Sequence, residues 1–252
     1  MKNITIKSNH DLKGKLWLPK NAKKGIVVVH QFKESSEHPT CFEATKSFYK
    51  KGYAVLTFDL LGHGKSKGSL RDVSYRTTSE NVSDAIKYLK EQGVSKVGVY
   101  AVSLGTIATI LSSERPDTQV FVSPAPIFNL EGLLERDGAS IKESPEKIEE
   151  QGYAIATSSS GRGNFKIGKE WLDEMKKERR EIHQKHMENK TPTLIIQGTH
   201  DELTNINEAR NLTAYFGDSS LFLDGADHNL TNPLDNEFAI SKAGEWFERY
   251  LN

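Results

Sequence analysis

Six short stretches of this chain, residues 25–30, 53–59, 96–102, 118–123, 193–197 and 220–223, are apolar almost without interruption. A strand with one wet face alternates apolar and polar residues, whereas a run without alternation is covered on both faces, as in a parallel sheet. Amphipathic stretches lie between these runs. Val82, Ala85, Ile86 and Leu89 recur at i, i+3, i+4 and i+7 before Gly93, which predicts a helix with a glycine stop. Thr40-Cys41-Phe42-Glu43 has the form of a capping box, and residues 238–251 form a C-terminal helix carrying Trp246, Phe247, Tyr250 and Leu251. Two weaker runs near the start, 4–7 and 15–18, flank Asn9, Asp11 and Gly14 and predict an antiparallel hairpin at the sheet edge. The fold class expected is α/β: a mostly parallel, doubly wound sheet of about eight strands.

The run at 96–102 ends in Ala101-Val102-Ser103-Leu104-Gly105, and a helix-like stretch from Thr106 to Leu111 follows at once. A serine with small residues two positions to either side, on a sharp strand-to-helix turn, is a nucleophile elbow: the turn crowds its neighbours and exposes its hydroxyl above the sheet. The usual pattern is G-x-S-x-G, and Ala101 stands at its first position. Further on, the run 193–197 leads into Gly198-Thr199-His200-Asp201, a carboxylate just past a strand's end, with Glu202 beside it. The run 220–223 leads into Gly225-Ala226-Asp227-His228. The order along the chain is therefore Ser, Asp, His. Asp201 also has a bland reading, as the cap of a helix over residues 205–216. His228 competes with seven other histidines: His183 and His186 fall on a charged, solvated-looking helix, and His200 adjoins the acid.

These residues resemble the α/β-hydrolase superfamily, over nearly the whole chain from about Lys15 to Leu251. The small capped serine esterases, including the feruloyl/cinnamoyl esterase and monoacylglycerol-lipase-like groups, are the nearest in pattern. The resemblance implies Ser103 as nucleophile, His228 as base and Asp201 as the acid that orients it. It also implies an oxyanion hole from the backbone amides of Leu104 and Phe32, where relatives carry His-Gly and then an apolar residue. Here the segment reads His30-Gln31-Phe32. Glycine reaches backbone geometries that glutamine does not, so Gln31 puts the conformation of this loop in question.

Residues 124–190 break the rhythm. They show no convincing strand, their charges are dense, and Ser158-Ser159-Ser160-Gly161-Arg162-Gly163 is a flexible patch. So long a segment without structure does not suit a compact domain, so short helices of its own are expected. The resemblance makes it a helical cap inserted after the sixth strand, with residues 1–123 and 191–252 as the core. Its apolar residues Phe128, Leu130, Leu133, Leu134, Phe165 and Trp171 either anchor the cap or, with Gln31 and Phe32, line an acyl pocket.

Other classes fit poorly. Thirty-four basic and 34 acidic residues give a formal net charge of zero, with no cationic bias toward nucleic acid or an acidic membrane. A single cysteine allows neither an intramolecular disulfide nor a multi-cysteine metal site. Gly62-His63-Gly64-Lys65-Ser66 ends like a P-loop, but Asp59 stands where that pattern needs glycine, and the segment matches instead a structural turn of α/β-hydrolases. The first residues lack the apolar core of a signal peptide and no run approaches the roughly 20 residues that span a bilayer, so a cytoplasmic protein without a membrane span is expected. The activity expected is that of a serine carboxylic-ester hydrolase without metal or cofactor, acting on a small-molecule ester. A homodimer is left open. The same three residues also serve thioester, amide and C–C bond cleavage, and a non-catalytic binding protein on the same fold is the remaining alternative.

Overall fold

The computed structural model of the chain describes residues 1–7, 9–124, 139–158, 164–177, 188, 190–216 and 219–252. Its centre is an eight-stranded sheet in the order β1-β2-β4-β3-β5-β6-β10-β11. These are β1 (Lys2–Ile6), β2 (Leu12–Trp17), β3 (Lys24–Val29), β4 (Ala54–Phe58), β5 (Lys96–Val102), β6 (Thr118–Val122), β10 (Thr193–Gly198) and β11 (Ser219–Leu223). The two N-terminal strands pair antiparallel, β2 joins β4 antiparallel, and every pairing from β4 to β11 is parallel. The sheet is mostly parallel, as the unbroken apolar runs implied.

The period of two within each strand divides the core into two layers. On one face Val27, Val29, Leu56, Phe58, Val97, Val99 and Ala101 pack with Val82, Ala85, Ile86 and Leu89 of α2 (Tyr75–Glu91) and Ile107, Ala108 and Ile110 of α3 (Leu104–Leu111). On the other, Ile26, Val28, Val55, Tyr100, Val102, Val120 and Val122 pack against α1 (Pro39–Lys50) and the C-terminal α7 (Pro233–Tyr250). Both faces of the central strands are thus dry, which is why their sequences do not alternate. The remaining helices among the described residues are α4 (Pro145–Gln151), α5 (Lys169–Lys177) and α6 (Ile206–Phe216).

The sequence misleads in two places. Thr40 and Glu43 form no capping box: α1 begins at Pro39, its N-cap His38 makes no side-chain cap bond, and the Thr40 hydroxyl donates instead to the Asn229 carbonyl at 3.1 Å. A tertiary partner took the hydroxyl that local pattern assigned to the helix end. The inserted segment is also not purely helical. It holds a separate antiparallel sheet of β7 (Ala139–Ile141), β8 (Tyr153–Ser158) and β9 (Asn164–Gly168). Its strand signal is faint because β8 buries alanines, Ala154 and Ala156, which are poor strand formers, and β9 alternates over only five residues, with Phe165 and Ile167 buried and Lys166 exposed. Phe165, Ile167, Trp171, Leu172 and Met175 join the same buried layer as α2. The Glu174 carboxylate accepts from the Tyr75 and Arg76 amides, satisfying the first donors of α2.

Candidate active site

Ser103 lies between β5 and α3 with φ 48° and ψ −113°, a backbone conformation that L-residues rarely adopt. The reason is local. The strand ends at Val102 and the helix starts at Leu104, so a single residue makes the whole reversal. The turn has no room for side chains around it. A Cβ on Gly105 would lie 2.9 Å from Val29 Cγ1 and 3.0 Å from the Val29 carbonyl, which accounts for the small residue two places after the serine.

The three residues read from chain order come together. Ser103 Oγ and His228 Nε2 are 3.0 Å apart, and His228 Nδ1 lies 2.8 Å from Asp201 Oδ2. All three side chains are buried, with Ser103 at 8% exposure keeping a small opening to solvent. The carboxylate has a further task for its other oxygen: Asp201 Oδ1 accepts from the Leu203 and Thr204 amides at 2.8 and 2.7 Å. Burial pushes the Asp201 carboxyl up, but the His228 ring, the Thr204 amide and Gln197 outweigh it and hold it below its ordinary range. Asp201 is not the cap of α6; Asn205 Oδ1 accepts from the Asn207 amide there. Glu202, the rival carboxylate, reaches the backbone N–H of His228 at 3.4 Å and not its ring. His200 is exposed, and His183 and His186 lie outside the described residues.

In the loop after β3, Gln31 needs no glycine geometry; the left-handed residue is Lys33, at φ 64°. The Gln31 side chain is buried and its Nε2 donates to His38 Nδ1 at 3.2 Å, with Asn229 Oδ1 at 3.5 Å, so it bridges this loop to the residue after His228. Among the described residues neither the Phe32 nor the Leu104 amide has a hydrogen-bond partner. Two such donors are what an oxyanion hole requires.

Beneath the loop, the Leu60 amide donates to His30 Nε2 at 3.0 Å, so the ring's proton sits on Nδ1 and is donated to the Gln31 carbonyl at 2.7 Å. Asp59 ties the loop to the next turn by accepting from the Ser36 and Lys65 amides, each at 2.8 Å. This is the work of the P-loop-like segment. A Cβ at Gly64 would lie 2.2 Å from the Asp59 carboxylate, so the glycine makes room for an acid where a P-loop would make room for phosphate.

Of the residues expected to line a pocket, Phe165 and Trp171 meet Phe32, their rings edge-on to it at 5.7 and 4.9 Å between centroids. Lys33 Nζ stands 3.3 Å from the Phe165 centroid. Phe128, Leu130, Leu133 and Leu134 lie outside the described residues. Sequence reading did not single out His63, whose ring lies against His30 and Phe32, nor Gln197, a polar residue closing an apolar strand.

The buried imidazoles set an acid limit on this loop. Burial, and then repulsion from His63, lower the His30 pKa from 6.5 to about 3, and burial likewise lowers those of His63 and His38. The folded state therefore binds fewer protons than the unfolded chain between pH 6.5 and about 3, and stability falls as pH drops through that window. Denaturant titrations should show a loss on the order of 1 kcal/mol per pH unit below about 6 from His30 alone, with His63 and His38 adding to it. Unchanged stability from pH 7 to 5 would contradict this reading.

A family model described as serine aminopeptidase, S33 matches residues 20–148, a stretch that includes His30 and Ser103 but ends before Asp201 and His228. Est1E from Butyrivibrio proteoclasticus, in a structure with ferulic acid bound, has a similar fold, with a TM-score of 0.81 at 19% identity over 98% of this chain and 99% of that one. The Pyrococcus furiosus esterase Pf2001 has a TM-score of 0.74 at 22% identity, over 100% and 93% of the two chains. Among curated proteins, an acyl transferase of Shewanella hanedai is 27% identical over 132 residues, 50% of this chain and 43% of that protein. One of Photobacterium leiognathi is 22% identical over 166 residues, 61% and 53% of the two. The chain spans about half the length of these curated relatives.

Proposed function

The chain belongs to the serine aminopeptidase S33 family and has the α/β-hydrolase fold, and from that premise we propose that it is a serine hydrolase that cleaves carboxylic esters through an acyl-enzyme on Ser103. The observation that carries this reading is the continuous hydrogen-bonded line from Ser103 Oγ through His228 to Asp201. His228 Nε2 takes the hydroxyl proton as Ser103 Oγ attacks the ester carbonyl, while Asp201 keeps the other ring proton on Nδ1 and balances the imidazolium charge. The Phe32 and Leu104 amides receive the negative charge that forms on the carbonyl oxygen. His228 then gives its proton to the leaving alcohol, and water, deprotonated by the same nitrogen, releases the acid and frees Ser103.

Among the fold's neighbours, the Pyrococcus furiosus esterase and the ferulic acid complex of Est1E support an ester over the amide of the family's description. The aromatic group of Phe32, Phe165 and Trp171 suits a small to medium or aromatic acyl chain of the hydroxycinnamoyl type. Both curated relatives are named acyl transferases, which favours a second reading: acyl transfer from a thioester to an acceptor other than water. A panel of nitrophenyl, hydroxycinnamate and acyl-thioester substrates separates the two. Hydrolysis of the oxygen esters, with preference graded by roughly 1–3 kcal/mol per methylene, is expected. Turnover of thioesters alone, accelerated by added alcohols, would replace ester hydrolysis with acyl transfer.

A further inference from the structure

Gln197, in β10, is fully buried, four residues before the acid. Its Nε2 donates to Asp201 Oδ2 at 2.6 Å, the same oxygen that faces His228 Nδ1 at 2.8 Å. The only other acceptor recorded for that amide nitrogen is the Gly198 carbonyl, at 3.3 Å, and Gln197 Oε1 has no partner among the described residues. An amide buried with its acceptor end unpaired costs stability. Its donor end is directed at one atom of the site.

We propose that Gln197 is a positioning residue for the acid: by sharing Oδ2 with the imidazole it fixes the carboxylate and draws off part of the negative charge that would otherwise support a protonated His228. The inference rests on the reading of Ser103, His228 and Asp201 as the reacting groups. A hydrogen bond to a carboxylate stabilises the anion on its own, so less of that charge is left to stabilise the imidazolium. Among the described residues, the other charged groups around the pair do not reach Oδ2. Glu202 takes the His228 backbone N–H, Asp227 accepts from the Thr231 amide and hydroxyl, and His200 is exposed beyond Gly225.

Gln197→Met keeps the side chain's length and removes the donor. In a pH profile of kcat/KM on a nitrophenyl ester, its acid limb should move upward by roughly half to one pH unit, with the plateau changed by less than about tenfold. The His228 Nδ1 proton, observed by NMR in the unreacted protein, should shift at the same time. Gln197→Glu, whose protonated carboxyl can still donate to Oδ2, should restore the acid limb. If the Met variant does not fold, Gln197→Asn, one methylene too short to reach, should reproduce its effect. An acid limb that stays in place, or a kcat/KM that falls by one factor at every pH, would overturn the proposal and make Gln197 a packing residue. Should Ser103→Ala retain activity, the underlying reading fails instead, so the two failures are distinguishable.

Discussion

Replacing Ser103 by alanine is expected to lower ester turnover by roughly 10⁴- to 10⁶-fold while the protein stays folded. The fold should survive because alanine retains the Cβ and so meets the same backbone demand at φ 48°. What disappears is the oxygen 3.0 Å from His228 Nε2. The remaining activity would come from the oxyanion amides and from binding, which act on a water attack without the serine. The His228 ring, with Asp201 still beside it, keeps its orientation. The loss should therefore appear in kcat far more than in KM.

Asp201→Asn should cost about 10⁴ in turnover, for a different reason. Asparagine can still accept from the Leu203 and Thr204 amides through its remaining oxygen. Its NH2 would then occupy the place of Oδ2, facing both the Gln197 amide and His228 Nδ1. Two donors against a third favour the imidazole tautomer with its proton on Nε2, which cannot take the Ser103 proton. Glu202→Gln, which disturbs only a 3.4 Å contact to the His228 backbone, should change turnover by less than about tenfold. Steady-state rates on one nitrophenyl ester rank the two variants directly. The reverse order would make Glu202 the acid.

The elements most legible in the sequence are those whose environment is set by burial alone. The run at residues 96–102 coincides with β5 residue for residue, and every residue of it after Lys96 is buried. Ser103, Asp201 and His228 were legible from their places after strands and from chain order: Ser103 directly follows β5, Asp201 stands three residues past β10 and His228 five past β11. What the sequence hides depends on partners far along the chain. Thr40 looked like a helix cap until Asn229 came within reach of its hydroxyl. Gln31 looked like a fault in the loop, yet the strained backbone falls at Lys33 and the glutamine spans to His38. The strands of the insert went unread because β8 buries alanines in place of bulky apolar residues, and the alternation of β9 spans only five residues. Gln197 reads as an ordinary strand end; only the return of the chain at His228 shows whose oxygen it shares.

Mass spectrometry of the protein after reaction with a fluorophosphonate tests whether Ser103 is the nucleophile that would carry the acyl group. One added group per chain is expected, on the peptide that contains Ser103, and none in a folded His228→Ala variant treated for the same short time. Adducts on another residue, or ester hydrolysis that continues at full rate after Ser103 is completely labelled, would contradict it.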